Sequence, residues 1–170
     1  VSGSYNVNRT GNLYRQLRTN LHVMTGGSQV LIDGNMVQFD DQFSNNIDEY
    51  DAVKLNNSSE NIGLSRNSNK LAVERRKEIV NTDTIFYHLG QLRIQQYQLE
   101  FIPQDLGLPD LVAYLEDNYL NTSAVINLFD TNRINFNVIN EPGSYAADRF
   151  RIVFKKLAPV PVTFTGITAV

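Results

Sequence analysis

The chain has 170 residues, 42% hydrophobic and 19% charged, with a net charge of −3 and a sequence pI of about 5.3. That length makes one domain able to bury a sizeable core. The absence of Cys excludes a cysteine nucleophile, a CxxC redox pair and a thiolate zinc site, and His22 and His88 lie too far apart for a local metal motif. The acidic balance supplies no basic footprint for nucleic acid, and no apolar run approaches the roughly 18 to 20 residues that span a bilayer.

Alternation with a period of two recurs along the chain, whereas a sustained 3.6-residue stripe does not, which predicts an all-β fold. In the first strand Leu13, Arg15, Leu17, Thr19, Leu21 and Val23 share one parity against Tyr14, Gln16, Arg18, Asn20 and His22. Thr25-Gly26-Gly27 breaks it. Residues 29–32, Asp33-Gly34-Asn35 and residues 36–39 then read as strand, tight turn and strand, because Gly and Asn accept the positive φ of hairpin turns.

The polar, acidic stretch 40–50 reads as a long loop anchored by Phe43 and Ile47. Strands are expected over 52–55, 61–65, 70–78, 84–89, 96–102, 111–116, 124–129, 134–139 and 148–156, with a turn at Asn67-Ser68-Asn69. Leu92 and Ile94 are even while Tyr97, Leu99 and Phe101 are odd, so a bulge or turn near Gln95 is expected. A short helix over 109–117 competes with the strand there. In the last strand Phe150, Ile152 and Phe154 point one way, and Arg149, Arg151, Val153 and Lys155 the other. So many short strands predict two antiparallel sheets face to face, a jelly-roll-like β-sandwich over residues 1–156. In 157–170, Pro159 and Pro161 forbid a regular ladder, and the segment reads as a linker toward a following domain.

The stretch ADRFRIVFKK followed by LAPVPVTFTGITAV (147–170) resembles the region that precedes an immunoglobulin-like module and the C-terminal sorting domain in type IX secretion cargo of the Bacteroidetes. LVAYLEDNYLNTSAVINL and NNIDEYDAVKL, the latter with Tyr50, Asp51, Ala52 and Lys54, are similar to further phrases of that group of large, adhesin-like surface proteins. The resemblance implies an extracellular or outer-membrane-surface protein and a non-catalytic module with a spacer or adhesion role. Its expected partners are a surface glycan or protein and neighbouring domains of the same chain, with no nucleic acid and no membrane span.

Candidate sites follow from residue chemistry. Asp40, Asp41, Asp48 and Asp51 crowd one loop beside Asn45 and Asn46, and such hard oxygen donors suit Ca²⁺, though no EF-hand spacing is present. Asp51 and Lys54 also have a structural reading, the first accepting backbone N–H groups at a turn and the second covering a strand edge. Arg149, Arg151 and Lys155 read as cross-strand partners for acids such as Glu100 or Glu116. Those two acids sit on strands, but no phrase places a pair on one face as glycoside hydrolysis requires, and no G-x-S-x-G elbow is present. Tyr14, Tyr114, Tyr119 and Tyr145 are the aromatics with no obvious core position, and exposed rings beside amides and carboxylates suit sugars. This makes a carbohydrate-binding module the second functional reading. Sequons at Asn8, Asn56, Asn57 and Asn121 are no more than this composition yields by chance.

Overall fold

A computed structural model describes residues 14–157. The expected features at Leu13, at the Asn8 sequon and over 158–170 lie outside the described residues. Eleven strands follow one another: β1 (Arg15–Thr25), β2 (Ser28–Phe39), β3 (Ala52–Val53), β4 (Asn61–Arg66), β5 (Asn69–Arg76), β6 (Thr84–Gly90), β7 (Gln96–Gln104), β8 (Leu111–Asp117), β9 (Thr122–Ile126), β10 (Asn132–Asn137) and β11 (Phe150–Lys156). A single 3₁₀ turn, Pro142–Tyr145, precedes the last strand. Residues 111–117 form a strand and not the competing helix.

The strands hydrogen-bond in the order β10-β7-β1-β2-β5-β4-β6-β11-β8-β9, with β3 added to β5, and the sheet rolls into a nearly closed, barrel-like β-sandwich. All ladders are antiparallel except β2 with β5. Period-two alternation explains the core. Leu17 and Leu21 of β1, Tyr97, Leu99 and Phe101 of β7, Leu111, Ala113 and Leu115 of β8, and Phe150, Ile152 and Phe154 of β11 all point inward and are buried. Truncating one of these, Leu99→Ala for example, removes about 2–5 kcal/mol by transfer and cavity terms together.

Local sequence chemistry is legible in the two tight hairpins. Gly26-Gly27 between β1 and β2, and Asn67-Ser68 between β4 and β5, each place two consecutive residues at positive φ, the geometry that matches strand twist. The expected turn at Asp33-Gly34-Asn35 does not form, and β2 runs through it. Tertiary partners override the signal: the Asp33 carboxylate accepts from the Ile62 backbone N–H at 2.8 Å and ion-pairs with Lys54. The irregularity is instead a bulge one residue earlier, where Leu21 faces Asp33 and His22 faces Leu31. Gly34 lies so close to Thr19 and Asn20 that an added Cβ would stand 2.9 Å from the Asn20 side-chain oxygen. Lys54 is accordingly a buried ion-pair partner and does not cover an edge.

The ends of the sheet, β9 and β10, are consecutive in sequence yet share no ladder. Beside this gap one side chain ties the end of β8 to the end of β10. Arg149, expected to point outward, is buried. Its guanidinium donates to both Asp117 oxygens at 3.0 and 2.8 Å, to the Asn137 carbonyl at 3.0 Å and to the Ser144 carbonyl at 2.7 Å. Arg149 precedes β11, so strand alternation does not govern its side chain, and a bidentate carboxylate repays its burial. Arg151, within the strand, faces outward and pairs with Glu116 at 2.6 Å, as the alternation predicts.

Candidate functional site

Several clefts of ligand size indent the described residues, among them one of about 400 Å³ between Arg15, Pro103, Asp105 and Phe129, and two of them gather aromatic rings around an arginine. The larger, about 410 Å³, lies at the open seam between β9 and β10 and is lined mainly by apolar side chains, among them Leu115, Leu120, Ala124, Ile134, Phe136 and Phe150. Its guanidinium and its phenol are already engaged. Arg149 has the four bonds given above and lies within 4.8–5.1 Å of the ring centroids of Tyr119, Phe136 and Phe150. The Tyr119 hydroxyl donates to the Glu141 carboxylate, which raises the phenol pKa above its ordinary value.

The second cleft, about 320 Å³, is lined by Tyr14, Gln42, Phe43, Ser44, Asp48, Tyr50 and Arg75. Three elements build it: the residue entering β1, the 40–51 loop, and the end of β5. The loop's shape follows from its Asp residues, whose short side chains accept nearby backbone N–H groups. Asp40 accepts from Gln42 at 2.8 Å, Asp48 from Tyr50 at 2.9 Å, and Asp51 from Asp48 at 2.9 Å and from Arg75 at 2.8 Å. These bonds fold Phe43 and Tyr50 back over the sheet while Ile47 packs against the core.

Arg75 occupies the centre. Its guanidinium carbon lies 5.8 Å from the Tyr14 ring centroid, 5.4 Å from Phe43 and 5.9 Å from Tyr50. Its Nε donates to Gln38 at 2.9 Å, while its two terminal nitrogens bond no other described residue. Tyr14 and Phe43 stand 4.8 Å apart and are tilted by 57°, forming a corner and not a flat platform. Tyr50 is 59% exposed, so one wall of the corner stands open to solvent. The arrangement offers apolar ring faces, donors from Arg75 and Gln42, an acceptor from Asp48 and a hydroxyl from Ser44. Together these can hold a polar, hydroxyl-bearing molecule with apolar faces.

The sequence-derived candidates divide accordingly. Of the four aromatics, only Tyr14 joins this corner. Tyr114 lies on the outer face of β8 under Lys155, 5.0 Å from its ring, Tyr119 lies in the seam, and Tyr145 is exposed on the 3₁₀ turn. Asp40, Asp48 and Asp51 shape the loop, and Asp41 is exposed beside them. Among the described residues no group of three His, Asp or Glu side chains converges on a common point. Asp51 has the turn-capping role expected of it.

The sequence does not single out Tyr50 or Arg75 as ligand residues and offers Phe43 only as a loop anchor. Two aromatics within an otherwise polar, acidic loop were the available signal for Phe43 and Tyr50. Arg75 had none. Leu71 and Glu74, three apart on β5, are both buried, so alternation breaks between them and Arg75 emerges level with Gln38. No family model, curated protein or solved structure matches this chain.

Proposed function

We propose that this domain is a non-catalytic β-sandwich module of a surface-exported protein, with an adhesion role carried by glycan binding at the Tyr14–Phe43–Tyr50–Arg75 corner. The observation that carries this reading is Arg75, a half-buried guanidinium ringed by three aromatic side chains, with its terminal nitrogens bonded to no described residue. A pyranose presents an apolar face to a ring and hydroxyl groups at its edge, and this corner offers partners for both. A cationic ligand is disfavoured because the aromatic corner already holds its own cation. The non-catalytic part is supported by the state of the strand acids: Glu100 is engaged by Asn20 and Arg133, and Glu116 by Arg151. The resemblance over 147–170 supports export.

A glycan array followed by NMR titration tests the binding. Shifts at Tyr14, Phe43, Tyr50 and Arg75, and at least tenfold weaker binding by Tyr50→Ala with an unchanged thermal midpoint, are expected. Binding that survives Tyr50→Ala and Arg75→Ala undiminished would place the ligand elsewhere. An immunoglobulin-like module encoded after Val170 is the expected context for export, and a stop codon there would overturn that part.

A further inference from the structure

Accepting the glycan reading, we propose that the aromatic corner is one end of an extended subsite, in which a row of amides crossing the sheet takes the further units of a neutral oligosaccharide. Arg75 Nε donates to Gln38 Oε1 at 2.9 Å, Gln38 Nε2 to Gln16 Oε1 at 3.1 Å, and Gln16 Nε2 to Gln104 Oε1 at 2.9 Å. These four residues are directly opposite one another on neighbouring strands: Gln38 pairs with Arg75, and Gln16 with both Gln38 and Gln104. At the ordinary strand spacing of about 4.8 Å the row runs about 14 Å from β5 to β7. All four side chains are partly exposed.

The direction of the row has a physical cause. A guanidinium can only donate, so Gln38 must turn its oxygen toward Arg75, and each following amide is then oriented in the same sense. Bonds aligned this way polarise one another. Each amide has two N–H groups and an oxygen with two lone pairs. The bonds within the row leave Gln38 and Gln16 one donor and one acceptor site each, and they leave both Gln104 N–H groups unused among the described residues. Alternating donors and acceptors match hydroxyl groups, which are both.

Charge selects the class. Beyond Arg75 the row itself carries no charge, Asp48 lines the aromatic end and offsets the Arg75 charge, and the exposed Arg18 and Asp105 that flank the row are of opposite sign, so the surface favours neither an anionic nor a cationic sugar chain. A row serving only to fasten strands together would have no effect on ligand affinity.

The test is calorimetric titration of the folded chain with glucose, mannose and galactose, their linear oligomers of two to five units, and galacturonate oligomers as the charged control. The expected result is affinity that climbs at least tenfold from the monosaccharide to the tetramer of one neutral series. Gln104→Ala should collapse that gain, and Gln29→Ala, at the far end of the first hairpin, should preserve it. NMR spectra of both variants establish that they are folded, and Gln104→Asn serves as the milder change if Gln104→Ala is not. Equal affinity for monomer and tetramer, with Tyr50→Ala weakening both, would overturn the extended subsite and leave the glycan reading standing. Preference for the galacturonate series would overturn the neutral class. Failure of every sugar to bind would overturn both readings together.

Discussion

Two arginines of this domain are each surrounded by three aromatic rings, and they behave as opposites. Arg149 sits at the seam with 1% of its side chain exposed, beside Tyr119, Phe136 and Phe150, and its donors end on Asp117 and two backbone carbonyls. Arg75 sits among Tyr14, Phe43 and Tyr50 with one side-chain bond, to Gln38, and no described acid paired with it. An aromatic cage around a cation therefore says little about function. What separates the fastening at Arg149 from the binding corner proposed at Arg75 is whether the remaining donors are satisfied internally.

The sharpest way to break this comparison is at the seam. Arg149→Met should cost about 3–5 kcal/mol in urea denaturation, because it strands the Asp117 carboxylate in a buried position. Arg149→Lys should recover only part of this, since an ammonium cannot bridge both Asp117 oxygens and two carbonyls at once. A loss below about 1 kcal/mol for Arg149→Met would mean the seam holds without its clamp. Arg75→Met is the counterpart. Its stability should change by no more than about 0.5 kcal/mol, while affinity for a glycan seated at the proposed corner falls about tenfold, or about 1.4 kcal/mol. A variant that unfolds the chain would erase the distinction.

Titratable groups sharpen the same contrast between satisfied and unsatisfied sites. At Glu100 burial raises the carboxyl pKa, but the bonds from Asn20 and Arg133 outweigh it and leave the pKa below the ordinary 4.5. The folded chain then binds fewer protons at this site than the unfolded chain, so the stabilisation is complete above about pH 4.5 and is lost as pH falls through the folded pKa. Glu100→Gln should flatten the acid branch of a stability–pH curve, and an unchanged slope would show that the cluster is not coupled to folding. The smallest effect is expected at His88. Burial, followed by the Lys70 charge, lowers its pKa below 6.5. Here too the unfolded chain binds more protons, so stability falls as pH drops below 6.5, and His88→Gln should remove that increment. A proton titration of the imidazole by NMR with a midpoint at or above 6.5 would contradict the sign.

Much of the architecture was readable because alternation is a local property. The inward positions of β7, β8 and β11, the Gly26-Gly27 break and the turn at Asn67-Ser68 all follow from residues close in sequence. The site was less readable. Tyr14 stands out for lacking a core position and the 40–50 loop for its acids, yet nothing in either stretch ties one to the other. Asp33-Gly34 gave a strong turn signal that Lys54 and Ile62, distant in sequence, overrode. Arg149 looked like one more outward cation until the seam supplied Asp117, Asn137 and Ser144.

The sequence by itself determined a cysteine-free, all-β chain with its inward faces, its hairpins and an Asp-shaped loop, because periodicity and turn chemistry act over a few residues. Only the tertiary structure decided which arginine became a clamp and which stayed open. That outcome depends on partners brought together by strand order: residues 117, 137 and 144 around Arg149, and residues 14, 38, 43 and 50 around Arg75. Strand order is set by long-range pairing and core closure, which no local pattern encodes.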